Sequence, residues 1–309
     1  MKWAKYIGIL LLLAAGHGAV AQSRALDSLR ERLPHAKGQE RYGTLIELFK
    51  ENLGINYDSA LRYASMAVDQ ARQNGDSLAM VKAYNAQGWV RMKLGSSLCI
   101  PDFEYALGIA RGNGYQDQVK YLLNNLAIAH GDFANYDKAL DYHFQSLQLR
   151  QLEGNALDIS ISLNNIGLVY SNLLDYENAL SYFQQSKDIK EENGITHDLD
   201  RAYINIALAY YNLKNYDEAT KNVSKVLELC EAGCEDEILV EAHYALAKIL
   251  QKKGKLSGAE EEIDKTIQIS RRLGSKMYES QALSLRAAVQ LNEGRPNKAL
   301  RALDESQSV

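Results

Sequence analysis

An alanine returns every 40 residues: Ala139, Ala179, Ala219, Ala259 and Ala299 fall at that spacing, and Ala60 and Cys99 continue the series upstream with one residue lost. Other columns keep the same step. Tyr136, Tyr176, Tyr216 and Leu256 form one, and Ala127, Gly167, Ala207 and Ala247 form another. A fixed period of this size means stacked supersecondary units, each packing on its neighbours, instead of a single closed core. It also overrides the two-domain division that a chain of 309 residues would otherwise suggest.

Inside each unit the pattern is helix, turn, helix. Leu163, Ile166, Gly167 and Tyr170 keep the i, i+3, i+4, i+7 spacing of one helical face, and Ala179, Phe183 and Ser186 keep a second stripe after the short turn "LLDY". Gly75, Gly114, Gly154, Gly194, Gly233 and Gly274 fall where the second helices should end, a place that favours the left-handed conformation. Pro296 falls in the first turn of the last helix, where its missing N–H costs nothing. With only three Pro and many Ala, Leu and Gln, the composition favours helix throughout. Seven helix pairs are expected, beginning near residues 41, 80, 120, 160, 200, 240 and 280. The segment "SRALDSLRERL", within residues 22–40, reads as an N-terminal capping helix, and residues 41–309 as the repeat array. The chain stops just after the last second helix. Either that helix serves as the cap, or a longer protein continues beyond it.

These units resemble the tetratricopeptide repeat. "IGLVY" at residues 166–170 matches the Leu-Gly-x-x-Tyr core of its first helix, and "YENA" at residues 176–179 matches the small Ala that lets its second helix cross closely. The resemblance covers about residues 41–309 and implies an all-α, right-handed superhelical solenoid. Two departures stand out: the period is 40 instead of 34, and the usual Pro near the end of the unit is absent. Six extra residues lengthen the helices by about a turn and a half.

On a wheel of 100° per residue, the fourth, seventh, eighth and eleventh positions of each first helix face the core, and the second, sixth, ninth and thirteenth face away. In a tetratricopeptide solenoid that opposite face lines the concave wall. Its sixth position holds Asn125, Asn165 and Asn205. The ninth holds Phe49, Trp89, Ile128, Leu168 and Leu208, and the thirteenth includes Asn172 and Asn212. The groove is thus expected to set an amide row beside an apolar row. One carboxamide can bond both the N–H and the C=O of a residue in an extended peptide. Each such bond contributes only about 1 kcal/mol net, so micromolar capture, at about 8 kcal/mol, needs the apolar row as well. The "NNL" and "NNI" stretches are similar to the Asn-bearing inner helices of kinesin light chain repeats and of bacterial peptide-responsive tetratricopeptide regulators, which implies peptide-backbone binding for Asn125, Asn165 and Asn205. Asn124, Asn164 and Asn85 lie one position off, where bonding to the neighbouring helix is the expected role. The competing reading makes all these amides ordinary surface or inter-repeat residues. Lys248 and Lys252 are candidates to receive a carboxylate, although the full Lys, Asn and Arg clamp of chaperone-binding relatives is absent.

The N-terminus reads "MKWAKYIGILLLLAAGHGAVAQS". Lys2 and Lys5 precede an apolar run, and Ala19-Val20-Ala21 gives a small-x-small cleavage pattern. Residues 1–21 are expected to be a secretory signal peptide, with an uncleaved anchor as the alternative, and the mature protein to be periplasmic or secreted. No later stretch reaches the roughly 18 apolar residues of a membrane helix. Loss of Lys2 and Lys5 leaves 33 basic and 39 acidic side chains, a mildly acidic balance with no basic block to footprint a nucleic acid. Cys230 and Cys234 flank "EAG" at a helix end and either pair or stay reduced. Cys99, in the alanine column, reads as a small buried residue. The five His residues beyond the signal, His35, His130, His143, His197 and His243, show no metal-ligand spacing, and His130 and His143 fall in core columns. There is no GxSxG elbow, phosphate-binding loop or Cys–His pair. No cofactor, metal or catalytic residue is therefore expected, and the chain reads as a non-enzyme. The preferred function is an exported interaction module binding a peptide or extended protein segment in its concave groove. The alternatives are the sensory region of a membrane-anchored histidine kinase or transcription regulator, truncated here, and an assembly scaffold.

Overall fold

A computed structural model describes residues 25–231 and 233–309, so the expected signal peptide lies outside the described residues. The chain divides into two compact units between residues 149 and 150. The first holds a short helix α1 (residues 25–32), then α2 (Gly38–Asn52), α3 (Tyr57–Asn74), α4 (Ser77–Lys93), α5 (Cys99–Gly112), α6 (Gln116–Asp132) and most of α7 (Tyr136–Glu153). The second holds α8 (Ala156–Asn172), α9 (Tyr176–Glu192), α10 (Leu199–Asn212), α11 (Tyr216–Glu231), α12 (Asp236–Lys252), α13 (Leu256–Leu273), α14 (Lys276–Asn292) and α15 (Pro296–Ser308). From α2 onward these form seven helix pairs. No helix among the described residues is long and apolar enough to cross a membrane.

Each first helix starts one to four residues before the hydrophobic pattern places it, and in α4 and α8 a polar cap outside the apolar stripe sets the start. Asp76 accepts from the Ala79 N–H at 2.9 Å, and Asn155 accepts from the Asp158 N–H at 3.2 Å. The second helices end as expected: Gly75, Gly114, Gly154, Gly194, Gly233 and Gly274 all have φ between 65° and 110°. The turn inside each pair also needs a left-handed residue. Gly54, Gly95, Gly254 and Gly294 supply it in four pairs, but Ala134, Leu174 and Lys214 adopt φ of 58°, 62° and 61° in the other three.

The alanine column is the tightest part of the fold. Ala60, Cys99, Ala139, Ala179, Ala219 and Ala259 are 0% exposed and Ala299 is 1% exposed, so even one added methyl group would have nowhere to go. The column one helix earlier shows size compensation. A Cβ on Gly88 would come within 2.7 Å of the Phe103 ring, and one on Gly167 within 2.6 Å of Phe183. At the same repeat positions Ala207 stands with Val223 and Ala247 with Ile263, a methyl paired with a smaller side chain. Serines reinforce the stacking within pairs: Ser146 Oγ donates to the Lys120 carbonyl at 3.0 Å, and Ser186 Oγ to that of Ser160 at 2.7 Å.

In the first unit one apolar cluster runs from Leu26 to Ala129, with Leu29 and Leu33 packed on it, so α1 covers the open end of the first pair. His130 and His143 are buried, as their columns imply. The His130 ring stacks on Tyr142 at 5.5 Å, and neither of its nitrogens has a hydrogen-bond partner among the described residues. In the second unit the core is broken into smaller clusters around Ile204–Ile249 and Ala247–Val289. Cys230, in the last turn of α11, forms a disulfide with Cys234 just beyond it, while Cys99 is free and buried.

Candidate binding face on the first helices

Several successive first helices touch: α4 meets α6 in the first unit, and α10 meets α12 and α12 meets α14 in the second. Side chains that leave the core on these helices therefore share one face. The Asn side chains use it to bond one another. In the first unit Asn125 Nδ2 donates to Asn85 Oδ1 at 2.7 Å, and in the second Asn205 Nδ2 donates to Asn164 Oδ1 at 2.8 Å. The sixth position of one first helix thus bonds the fifth position of the helix before it, and all of Asn85, Asn125, Asn164 and Asn205 are half-buried. One such bond uses one N–H of the donor and one lone pair of the acceptor, so it orients Asn205 while leaving its carbonyl oxygen for another group.

A cavity of about 240 Å³ opens on this face in the second unit, walled by Asn164, Asn165, Leu168, Arg201, Asn205 and Glu241. Of the residues expected in the groove, this brings together Asn165, Leu168 and Asn205; Leu168 is 40% exposed. The charged members were not visible in the apolar rhythm. Burial pushes the Glu241 carboxyl above its ordinary range, with Arg201 acting in the opposite direction. Lys190, itself buried on α9, also reaches the cavity. Its ammonium donates to the His197 carbonyl at 2.5 Å, and burial lowers its pKa against the pull of Asp198 and Asp200. These groups come from an inter-repeat loop, a second helix and helix starts, and nothing in a wheel of one first helix would gather them.

Other expected groove residues sit differently. Phe49 is only 8% exposed and belongs to the core of the first unit, a correction to its place in the apolar row: the wheel angle alone does not register the helices that close over it. Trp89 and Ile128 are half-buried against the same core. The Trp89 ring lies 6.3 Å from that of Tyr57, with Lys93 Nζ 5.3 Å above its face. Leu208 packs partly on the second unit's core. Asn172 and Asn212 are exposed, and Asn212 Nδ2 bonds back to the Leu208 carbonyl of its own helix at 2.9 Å. Among the described residues no group of three His, Cys, Asp or Glu side chains is placed to hold a metal ion.

Two tetratricopeptide repeat families match the chain, one over residues 118–192 and another over residues 200–232. The fold is that of a tetratricopeptide repeat solenoid. The fold of this repeat protein is similar to solved structures at low sequence identity. The apo form of the quorum sensor NprR from B. thuringiensis aligns with a TM-score of 0.76 at 15% identity, covering 96% of this chain and 84% of that one. A signal-transduction ATPase with a tetratricopeptide repeat sensor from Pyrococcus horikoshii gives 0.73 at 16% identity, covering 90% of this chain and 43% of that one. Kinesin light chain repeats from Podosopora anserina give 0.55 at 13%, covering 63% and 96%. No curated protein matches the repeat protein by sequence.

Proposed function

We propose that this repeat protein is an exported interaction module that binds an extended peptide or protein segment across its first-helix face. The observation that carries the reading is the cavity walled by Asn164, Asn165, Leu168 and Asn205. It offers carboxamides for a ligand's main chain beside an exposed leucine for a side chain, which is the mixed apolar and convergent polar lining of a binding site. The Asn205–Asn164 bond favours binding, because an amide already fixed in orientation loses less freedom when a ligand arrives. Export is supported by the N-terminal pattern "KYIGILLLLAAGHGAVA" and by the Cys230–Cys234 disulfide, which suits an oxidising compartment.

A sensory role is the second reading. Its support is the likeness of fold to a quorum sensor and to the sensor part of a signal-transduction ATPase. In both readings the groove captures the ligand.

The test is an array of randomised dodecapeptides probed with the full chain and with an Asn125→Ala, Asn165→Ala, Asn205→Ala variant. The expected result is a set of retained peptides that the variant holds at least several-fold more weakly, while its folding stability drops by no more than about 2 kcal/mol, the net value of two inter-repeat hydrogen bonds. Absence of any retained peptide, or retention that the variant leaves unchanged, sinks the proposal.

A further inference from the structure

The joint between α11 and α12 is closed by sulfur where most of its counterparts are closed by backbone. After α3, α5, α9 and α13 the residue following the left-handed glycine reaches back five positions. The N–H groups of Asp76, Tyr115, Ile195 and Ser275 donate to the carbonyls of Ala71, Ala110, Lys190 and Ser270 at 2.8–3.2 Å. α7 closes instead on two bonds from the Gly154 N–H, to the carbonyls of Arg150 and Gln151. After α11 the corresponding position holds Cys234, and among the described residues its N–H makes no such bond to Leu229. What spans this joint is the Cys230–Cys234 disulfide, with one hydrogen bond from the Gly233 N–H to the Cys230 carbonyl at 3.0 Å. On the far side, Glu235 gives α12 no side-chain cap.

The bridge is within reach of a reductant. Cys230 and Cys234 are both half-buried, and Cys234 lines a cavity of about 230 Å³ walled also by Leu199, Asp200 and Leu229. Cys99 is fully enclosed, so it does not exchange with the pair. The bridged residues are only four positions apart, and a disulfide stabilises a fold less the shorter the loop it closes, so this one acts on its own joint more than on the second unit as a whole. Exposed disulfides are also the ones that exchange. We infer that Cys230–Cys234 is a redox latch: a dithiol entering the cavity opens it, and the end of α11 and the start of α12 then loosen while the helices of the second unit stay folded. The reductant's thiolate bonds Cys234 Sγ, the sulfur–sulfur bond breaks, and Cys230 leaves as a thiolate that takes up a proton. The second thiol of the reductant then displaces Cys234 and closes a disulfide of its own, so two electrons pass from the dithiol to the protein. The exchange leaves intact the Arg272–Asp236 ion pair, which ties α13 to the start of α12. Neither step requires a bound peptide, so the latch is independent of the groove reading.

The test compares the full chain as oxidised, after dithiothreitol in native buffer, and after reoxidation, beside a Cys230→Ser/Cys234→Ser variant. Dithiothreitol should release both thiols of the pair without denaturant, and the helical circular dichroism should not change. Amide hydrogen exchange, read by mass spectrometry, should become about tenfold faster over residues 229–239 and revert on reoxidation. It should stay as it was over residues 190–200, where the Ile195–Lys190 bond closes the equivalent joint. The Ser variant should exchange at the fast rate with or without dithiothreitol; if it does not fold, the reduced and reoxidised chain decides alone. A disulfide that yields only in denaturant puts the sulfurs out of reach, equal exchange in the oxidised and reduced chains makes the bridge incidental, and loss of helix on reduction makes it a staple of the fold. Each of these three results overturns the latch.

Discussion

A Cβ on Gly167 would lie 2.6 Å from two carbons of the Phe183 ring and 3.2 Å from the Ala179 carbonyl oxygen. The glycine is therefore there for the space its missing side chain gives a neighbour, within a helix where it costs about 1 kcal/mol in propensity relative to Ala.

Gly167→Ala sets that gain in propensity against overpacking of a fully enclosed contact, which costs about 1–3 kcal/mol, and the clash wins because the ring is 2% exposed and cannot swing clear. The variant should lower stability by about 1 kcal/mol in urea denaturation. Combining it with Phe183→Val recreates the pairing that Ala207 and Val223 already show, so the double variant should be more stable than the sum of the two single changes predicts. Strict additivity would mean the two residues do not share the space.

Asn164 and Asn205 should be coupled. Replacing either by Ala breaks the 2.8 Å bond between two half-buried amides, and water can replace the lost partner, so each change should cost no more than about 1 kcal/mol. A double-mutant cycle should return about 0.5–1 kcal/mol of interaction energy. Zero coupling in that cycle would remove the inter-repeat bond, and with it the argument that the amides are held ready for a ligand.

His130 makes the fold sensitive to acid. Burial lowers its pKa below the ordinary 6.5, and Lys138 acts in the same direction while Glu104 opposes both. The folded chain thus binds this proton less readily than the unfolded chain, so its contribution to stability is present above pH about 6.5 and is lost as pH falls from there toward the lowered value. His130→Phe keeps the stacking on Tyr142 and removes the proton. Its melting temperature should fall less between pH 7.5 and 5 than that of the unaltered chain. An equal fall in both would assign the acid response to other groups.

The helix pairs were legible because the signals that encode them are local and repeated. An apolar residue every three or four positions marks a buried helical face, a Gly marks the end of each second helix, and one small residue every 40 marks each crossing. Cys99 could be placed in that column from spacing alone, and it is fully buried there. The left-handed turns at Ala134, Leu174 and Lys214 were not legible, since nothing in those side chains prefers that conformation; the helices on either side impose it.

The candidate site divides in the same way. The sequence placed Asn125, Asn165 and Asn205 at one repeat position and on the side of the helix away from its core. It assigned Asn85 and Asn164 a bond to the neighbouring helix without naming Asn125 and Asn205 as the partners, and it did not place Phe49 in the core or bring Arg201 and Glu241 to one cavity. Periodicity along a chain fixes which way a side chain leaves its own helix. What meets it there depends on how far and at what angle the next helices approach, and that is set by packing among residues 40 or more positions apart.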